Sequence, residues 1–132
     1  MSYTKVNYED VDQVSNAMHF LREPLETEQV GVTVVRCDPD WKSQPHDHAD
    51  NEHEEVYVLI EGAATVIVDG EHVEMKTGDA LWIPAESTRQ IRNGDEESAF
   101  VLVSAPSLTD EGDGERNGDG NDGDWLLTGF TG

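Results

Sequence analysis

Residues 46–55 read HDHADNEHEE and set His46, His48 and His53 among five carboxylates, Asp47, Asp50, Glu52, Glu54 and Glu55. Imidazole nitrogen and carboxylate oxygen are the donors that divalent transition metals take up. His46 and His48 stand two apart, so on an extended backbone both side chains leave the same face. That is how two imidazoles reach one ion at about 2.1 Å each. His53 stands two positions before Glu55, on the same face if a strand begins that early. Two such pairs on neighbouring strands can converge on a single point. The competing reading is a solvated acidic loop. Three of the chain's five histidines within eight positions weigh against it.

Local acidity by itself carries little weight in this chain. Its 132 residues hold 29 Asp and Glu against 8 Lys and Arg, a formal net charge of −21. Such a surplus repels phosphates, so nucleic acid and anionic membrane surfaces are excluded as partners. Carboxylate excess with three lysines (Lys5, Lys42, Lys76) matches a cytoplasmic protein of a salt-loving organism, where molar salt screens the self-repulsion. No apolar run approaches the roughly 20 residues that span a bilayer, and no basic-then-apolar leader opens the chain. The expectation is a cytoplasmic protein. The single cysteine, Cys37, lies in the apolar run VGVTVVRC and reads as a small core residue rather than a reactive thiol.

The elements that must hold the histidines are strands. QVGVTVVRC is rich in β-branched residues, and EVYVLIEG, AATVIVDG, EHVEMKTG, DALWIP, TRQIRNG and SAFVLVSAP follow at short intervals. Between them stand the turn pairs Glu61-Gly62, Asp69-Gly70, Thr77-Gly78 and Asn93-Gly94, of which Asp-Gly and Asn-Gly suit tight antiparallel connections. Many short strands without a long helix predict an all-β sandwich or barrel. Upstream, Asp10 to Met18 is compatible with a short helix and MHFLRE with a strand. One barrel domain with an N-terminal extension therefore spans residues 1–106. Residues 107–124, rich in Gly and Asp, are expected to form a flexible acidic tail. Residues 125–132, WLLTGFTG, are expected to dock on the barrel or on a partner subunit, because Trp125, Leu126, Leu127 and Phe130 are costly to leave wet.

HDH, Glu55 and Gly62, with EEVYVLIEG filling the interval, resemble the first motif of the cupin superfamily. Gly78-Asp79, Pro84 six residues after the glycine and Asn93 nine after the proline resemble the second. The likeness covers roughly residues 30–105, and the segment between the motifs is short, as in small single-domain cupins. It implies a cupin-like double-stranded β-helix (a jelly-roll barrel), often dimeric, with a divalent metal in its mouth. It also implies His46, His48 and Glu55 as metal ligands, with a further histidine from the second motif.

The departures fall at the site. Asp40 stands where the first motif has a glycine, the spacer from His48 to Glu55 is six residues, and Glu86 replaces a glycine after Pro84. Arg89 occupies the position of the second-motif histidine. A guanidinium has no lone pair to offer a metal. Three accounts stay open. His53 supplies the missing imidazole, giving a set of His46, His48, His53 and Glu55; or the metal is lost and Arg89 pairs with Glu55 or an anionic ligand; or Arg89 points outward to a surface acid.

The functional expectation is a metal-binding cupin, a metal-dependent enzyme with dioxygenase-, isomerase- or lyase-like chemistry on a small organic substrate. That substrate is anionic if Arg89 faces the cavity and binds it. The cofactor is a divalent transition metal: Fe, Mn, Ni, Cu or Zn. No nucleophile or general base stands out beyond Glu54 and Tyr57, which are only within reach. Tyr57 and Trp82 lie in strands and read as core. The alternative is a non-catalytic small-molecule or metal-binding sensor barrel, which the altered second motif favours. A homodimer is the expected assembly. In the tail, Asp113, Glu115, Asn117, Gly118 and Asp124 fall at calcium-loop spacing. Without an entering helix, that match reads as compositional.

Overall fold

The computed structural model describes residues 2–106. The acidic segment 107–124, its calcium-loop spacing and the apolar segment 125–132 lie outside the described residues. Eight strands form among the described residues: β1 (Met18–Phe20), β2 (Gly31–Cys37), β3 (His53–Glu61), β4 (Ala63–Val68), β5 (Glu71–Lys76), β6 (Ala80–Ile83), β7 (Arg89–Asn93) and β8 (Ser98–Pro106). Each apolar run of the sequence becomes one of β2 to β8. Every pairing is antiparallel, in two sheets ordered β1-β2-β8-β3-β6 and β5-β4-β7. The all-β jelly-roll barrel is thus the observed architecture.

Alternation along the strands sets the core. On β3, Glu55, Tyr57 and Leu59 turn inward while Val56 and Val58 face out, and on β8 Phe100 and Leu102 turn inward. Tyr57, Leu59, Val66, Ile83, Ile91 and Phe100 are buried where the two sheets face each other, with Tyr57 packed edge-on to Phe100 at 6.1 Å. Burying each such side chain stabilises the fold by about 1.5–3 kcal/mol. Cys37 joins this core, 2% exposed, and burial pushes its thiol pKa up.

The N-terminal helix expected from Asp10 to Met18 does not form. A single 3-10 turn covers Tyr8–Asp10, capped by the Asn7 side chain accepting from the Glu9 amide. Ser15 and Asn16 then adopt left-handed backbone (φ 55° and 60°), and Val14 bridges back to Met18. Consecutive left-handed residues end any helix, and Asn tolerates that region better than most. The strand expected over MHFLRE stops at Phe20, because a one-turn helix, α1 (Arg22–Leu25), takes Arg22 and Glu23. Pro24 fits in that helix, since first-turn amides lack intrahelical partners anyway.

Two features hold β7 in place. At one end, Asn93 shares its side-chain amide hydrogens among the carbonyls of Cys37, Asp38 and Glu96 and accepts from the Ser98 hydroxyl. At the other, Asp69 accepts from the Thr88 amide at 2.9 Å, tying the β4–β5 turn to the start of β7. The interaction with Thr88, and then with Ser87, holds the Asp69 carboxyl below its usual pKa. The residue between these anchors whose direction matters most is Arg89.

Candidate metal centre

β7 delivers its first residue to the same end of the barrel as the histidine segment. The backbones of His46 and Arg89 form an antiparallel bridge, with His46 N–H donating to the Arg89 carbonyl at 3.0 Å and Arg89 N–H to the His46 carbonyl at 2.8 Å. Upstream of it, the Ser43 amide donates to the Ile91 carbonyl and the Ser43 hydroxyl accepts from the Ile91 amide, so residues 41–46 run alongside β7. His48 is fixed by its own amide donating to the Ala85 carbonyl at 2.8 Å. Glu55 comes from the opposite sheet, on β3 between Ile83 of β6 and Ser104 of β8.

These elements bring His46, His48 and Glu55 together, with one donor atom from each within 4.8 Å of the others. The His46 and His48 rings meet edge-to-face at 5.2 Å. The His46 Nδ1 faces the Gln44 carbonyl at 3.1 Å; a carbonyl only accepts, so the neutral ring holds its proton on Nδ1 and its lone pair on Nε2. His48 Nε2 is buried, lies 3.4 Å from Glu55 Oε1 and has no hydrogen-bond partner. Burial is the main cause that lowers the His48 pKa, and the charge of Arg89 adds to it against the opposing pull of Glu55. His48 Nδ1 lies 3.4 Å from Asn51 Nδ2, so an ion at Nε2 would take the place of the ring proton there, beside a carboxylate and with no other partner to displace. The three donors therefore fit a metal.

His53 stands outside this group. It opens β3 on the same face as Glu55, but its ring centroid is 6.4 Å from that of His48. One full pleat, about 6.8 Å of strand, separates His53 from Glu55 and carries it toward the rim.

Arg89 points inward, and its side chain is fully buried. Its Nη1 donates to Glu55 Oε1 at 2.6 Å, Nη2 to the Pro84 carbonyl at 2.7 Å and Nε to the Ser87 carbonyl at 3.1 Å. The outward-facing account is thereby replaced by an ion pair with Glu55, made across the two sheets. Sequence reasoning identified the residue but could not choose its direction, because that depends on the register of β7 against β4 and residue 46.

Three other expectations resolve here. Glu54 faces the outside of the sheet, where its Oε1 accepts from Trp82 Nε1 at 2.8 Å. Trp82 is not core: it is 59% exposed, because β6 is an edge strand and Trp82 sits opposite Val56 on the outer face. Tyr57 is core, and burial together with Glu55 raises its phenol pKa well above the ordinary range. A groove of about 510 Å³ runs beside the site, lined by Ala49, Glu52, Glu54, Trp82 and Pro84 to Glu86. None of the three clustered donors lines it.

A two-sheet antiparallel barrel with histidine and carboxylate donors gathered at one end defines a jelly-roll barrel that carries a candidate metal site. The chain belongs to the cupin family: the Cupin domain model matches residues 33–105, more than half of its length. A cupin protein from Bacteroides fragilis is similar over 89% of this chain and 96% of its own, at 22% identity and a TM-score of 0.70. KdgF from Halomonas sp. is similar over 81% of this chain and 96% of its own, at 20% identity and a TM-score of 0.66. A sugar phosphate isomerase of the cupin superfamily from Silicibacter pomeroyi shares 28% identity at a TM-score of 0.59, over 69% of this chain and 59% of its own. Among curated proteins, none matches this sequence. No helix among the described residues is long and apolar enough to cross a membrane.

Proposed function

We propose that this protein is a small metal-binding cupin that acts as a metal-dependent enzyme on a small organic substrate. The observation that carries this reading is the gathering of His46, His48 and Glu55, with His48 Nε2 buried and unpartnered. In this reading those three residues hold a divalent transition ion, and His53 flanks them at the rim. A bound ion supplies Lewis acidity toward a substrate oxygen. The chain's own part is to present Nε2 of His46 through the Gln44 carbonyl, to keep His48 uncharged by burial, and to fix Glu55 through Arg89. The similar structures include a sugar phosphate isomerase and a predicted oxalate decarboxylase from Thermotoga maritima, which suits isomerase- or lyase-like chemistry without choosing a substrate.

Elemental analysis of protein purified in molar salt tests this. At equilibrium with excess metal ion, one equivalent of transition metal is expected in the wild type and in His53→Ala, and none in His46→Ala. A wild-type chain that stays metal-free after incubation with Fe(II), Mn(II), Ni(II) and Zn(II) would sink the metalloenzyme reading.

One observation favours a second reading, a barrel that binds a small molecule without catalysis. Arg89 already satisfies one oxygen of Glu55, and a cation then stands where another ligand would be expected. A metal-free chain that still binds small organic acids would support it.

We also propose that the protein is cytoplasmic and forms a homodimer. The outer face of the larger sheet supports pairing with a second copy: Val32, Val103, Val56 and Trp82 form a row across four strands, and Val34, Val101 and Val58 begin the next. Seven uncharged positions side by side are conspicuous in a chain of net charge −21. Equilibrium sedimentation of a Val56→Lys variant is expected to give half the wild-type mass, and a monomeric wild type would refute the pairing.

A further inference from the structure

We propose that Arg89 sets the metal affinity of this barrel, acting as a resident cation at the position from which a fourth protein ligand would be delivered. The inference rests on the metal-binding reading above, but is separable from it by experiment.

Arg89 is paired through its backbone with His46 on one side and with Val68 of β4 on the other. Its side chain runs from the smaller sheet to Glu55 on the larger one. Any side chain at this position is therefore aimed at the group formed by His46, His48 and Glu55. An imidazole there would add a donor, whereas a guanidinium adds a charge and no lone pair.

Charge decides the consequence. Ligation requires both imidazoles to be uncharged, so the only negative group in the donor set is Glu55. Arg89 cancels it, one positive against one negative, leaving a group with no net charge to attract a divalent ion. The same carboxylate oxygen, Oε1, faces both the guanidinium at 2.6 Å and His48 Nε2 at 3.4 Å. Removing the cation from the vicinity of a doubly charged ion strengthens binding through Coulomb's law, and more so in a buried setting.

Nor does the guanidinium have room to leave. Its Nη2 and Nε donate to the carbonyls of Pro84 and Ser87, on the connection between β6 and β7, and no part of it reaches solvent. Expelling it would strand Glu55 and two carbonyls. Arg89 is thus a built-in part of the site rather than a mobile arm. The site it leaves is a three-donor site, weaker than a four-ligand one, with the remaining coordination positions open to a substrate or water.

Zinc titration calorimetry in molar salt, on the wild type, Arg89→Gln and Arg89→His, reads this directly, with circular dichroism reporting the fold. Gln removes the charge; His removes it and adds a donor. Affinity is expected to rise at least tenfold in Arg89→Gln and further in Arg89→His, at one ion per chain. X-ray absorption of the zinc-loaded wild type is expected to count two imidazoles. Equal affinity in all three proteins, or a third imidazole in the wild type supplied by His53, would overturn the inference.

The two readings fail differently. A metal-free wild type with a loaded Arg89→His upholds the role of Arg89 and ends the metalloenzyme reading. A loaded wild type that both variants leave unchanged does the reverse. Metal in none of the three overturns both. If neither variant folds, the wild type decides: zinc binding weaker than about micromolar with two imidazoles supports the inference, and binding at about nanomolar overturns it.

Discussion

Among individual residues, the Arg89–Glu55 pair carries the largest stake in stability. The guanidinium is fully buried and the Glu55 side chain is 11% exposed, so water does little to screen them. Such a pair gives little net stability compared with an apolar substitute, but breaking it leaves an uncompensated charge inside the barrel. Glu55→Gln is therefore expected to destabilise the metal-free protein by about 3–5 kcal/mol in urea unfolding. A loss below about 1 kcal/mol would mean that the pair is solvated. At this scale the sequence was informative about chemistry and less so about direction. The cupin resemblance implied His46, His48 and Glu55 as a common site, and the structure does bring their donors together. His53 opens the same strand face one pleat from Glu55, and its ring centroid lies 6.4 Å from that of His48, because equal facing on a strand does not mean equal height. Trp82 was misread for a related reason: whether a strand aromatic is core depends on which face it takes and on whether its strand lies at an edge.

At the scale of elements, the turns keep the two sheets in register. Gly62, between β3 and β4, holds φ +81°, and a Cβ built there would lie 2.4 Å from the Glu97 carbonyl oxygen. The register shift between Leu59 and Glu61 immediately precedes it, where β3 leaves β8. Gly62→Ala faces both an unfavourable backbone conformation and a clash with backbone that has little freedom to move. It is expected to cost about 2 kcal/mol or more in unfolding free energy, while Gly70→Ala, with open space around it, costs less. Equal losses at the two sites would remove the close approach as the cause. The strands from β2 onward were legible because β-branched runs and Gly-containing turns reinforce each other. The N-terminal stretch was not, since neither periodicity nor turn chemistry there is strong enough to outweigh the bridge from Val14 to Met18.

For the molecule as a whole, net charge is the dominant variable. At −21 the chain repels itself, and the repulsion acts over about 10 Å at 0.1 M salt but only about 3 Å at 1 M. Raising potassium chloride from 0.1 to 2 M is expected to move the thermal midpoint upward by at least several degrees. A midpoint that falls or stays level would remove the high-salt adaptation read from composition. What the sequence determined alone was the kind of architecture and a set of candidate donor groups, because both rest on local patterns: alternation, turn residues, and donors two apart. Only the tertiary structure decided which side of a strand faces the barrel, how far along it a donor sits, and what charge stands opposite. Those depend on pairings between residues far apart in the chain, such as 46 with 89 and 55 with 89, which no local pattern encodes.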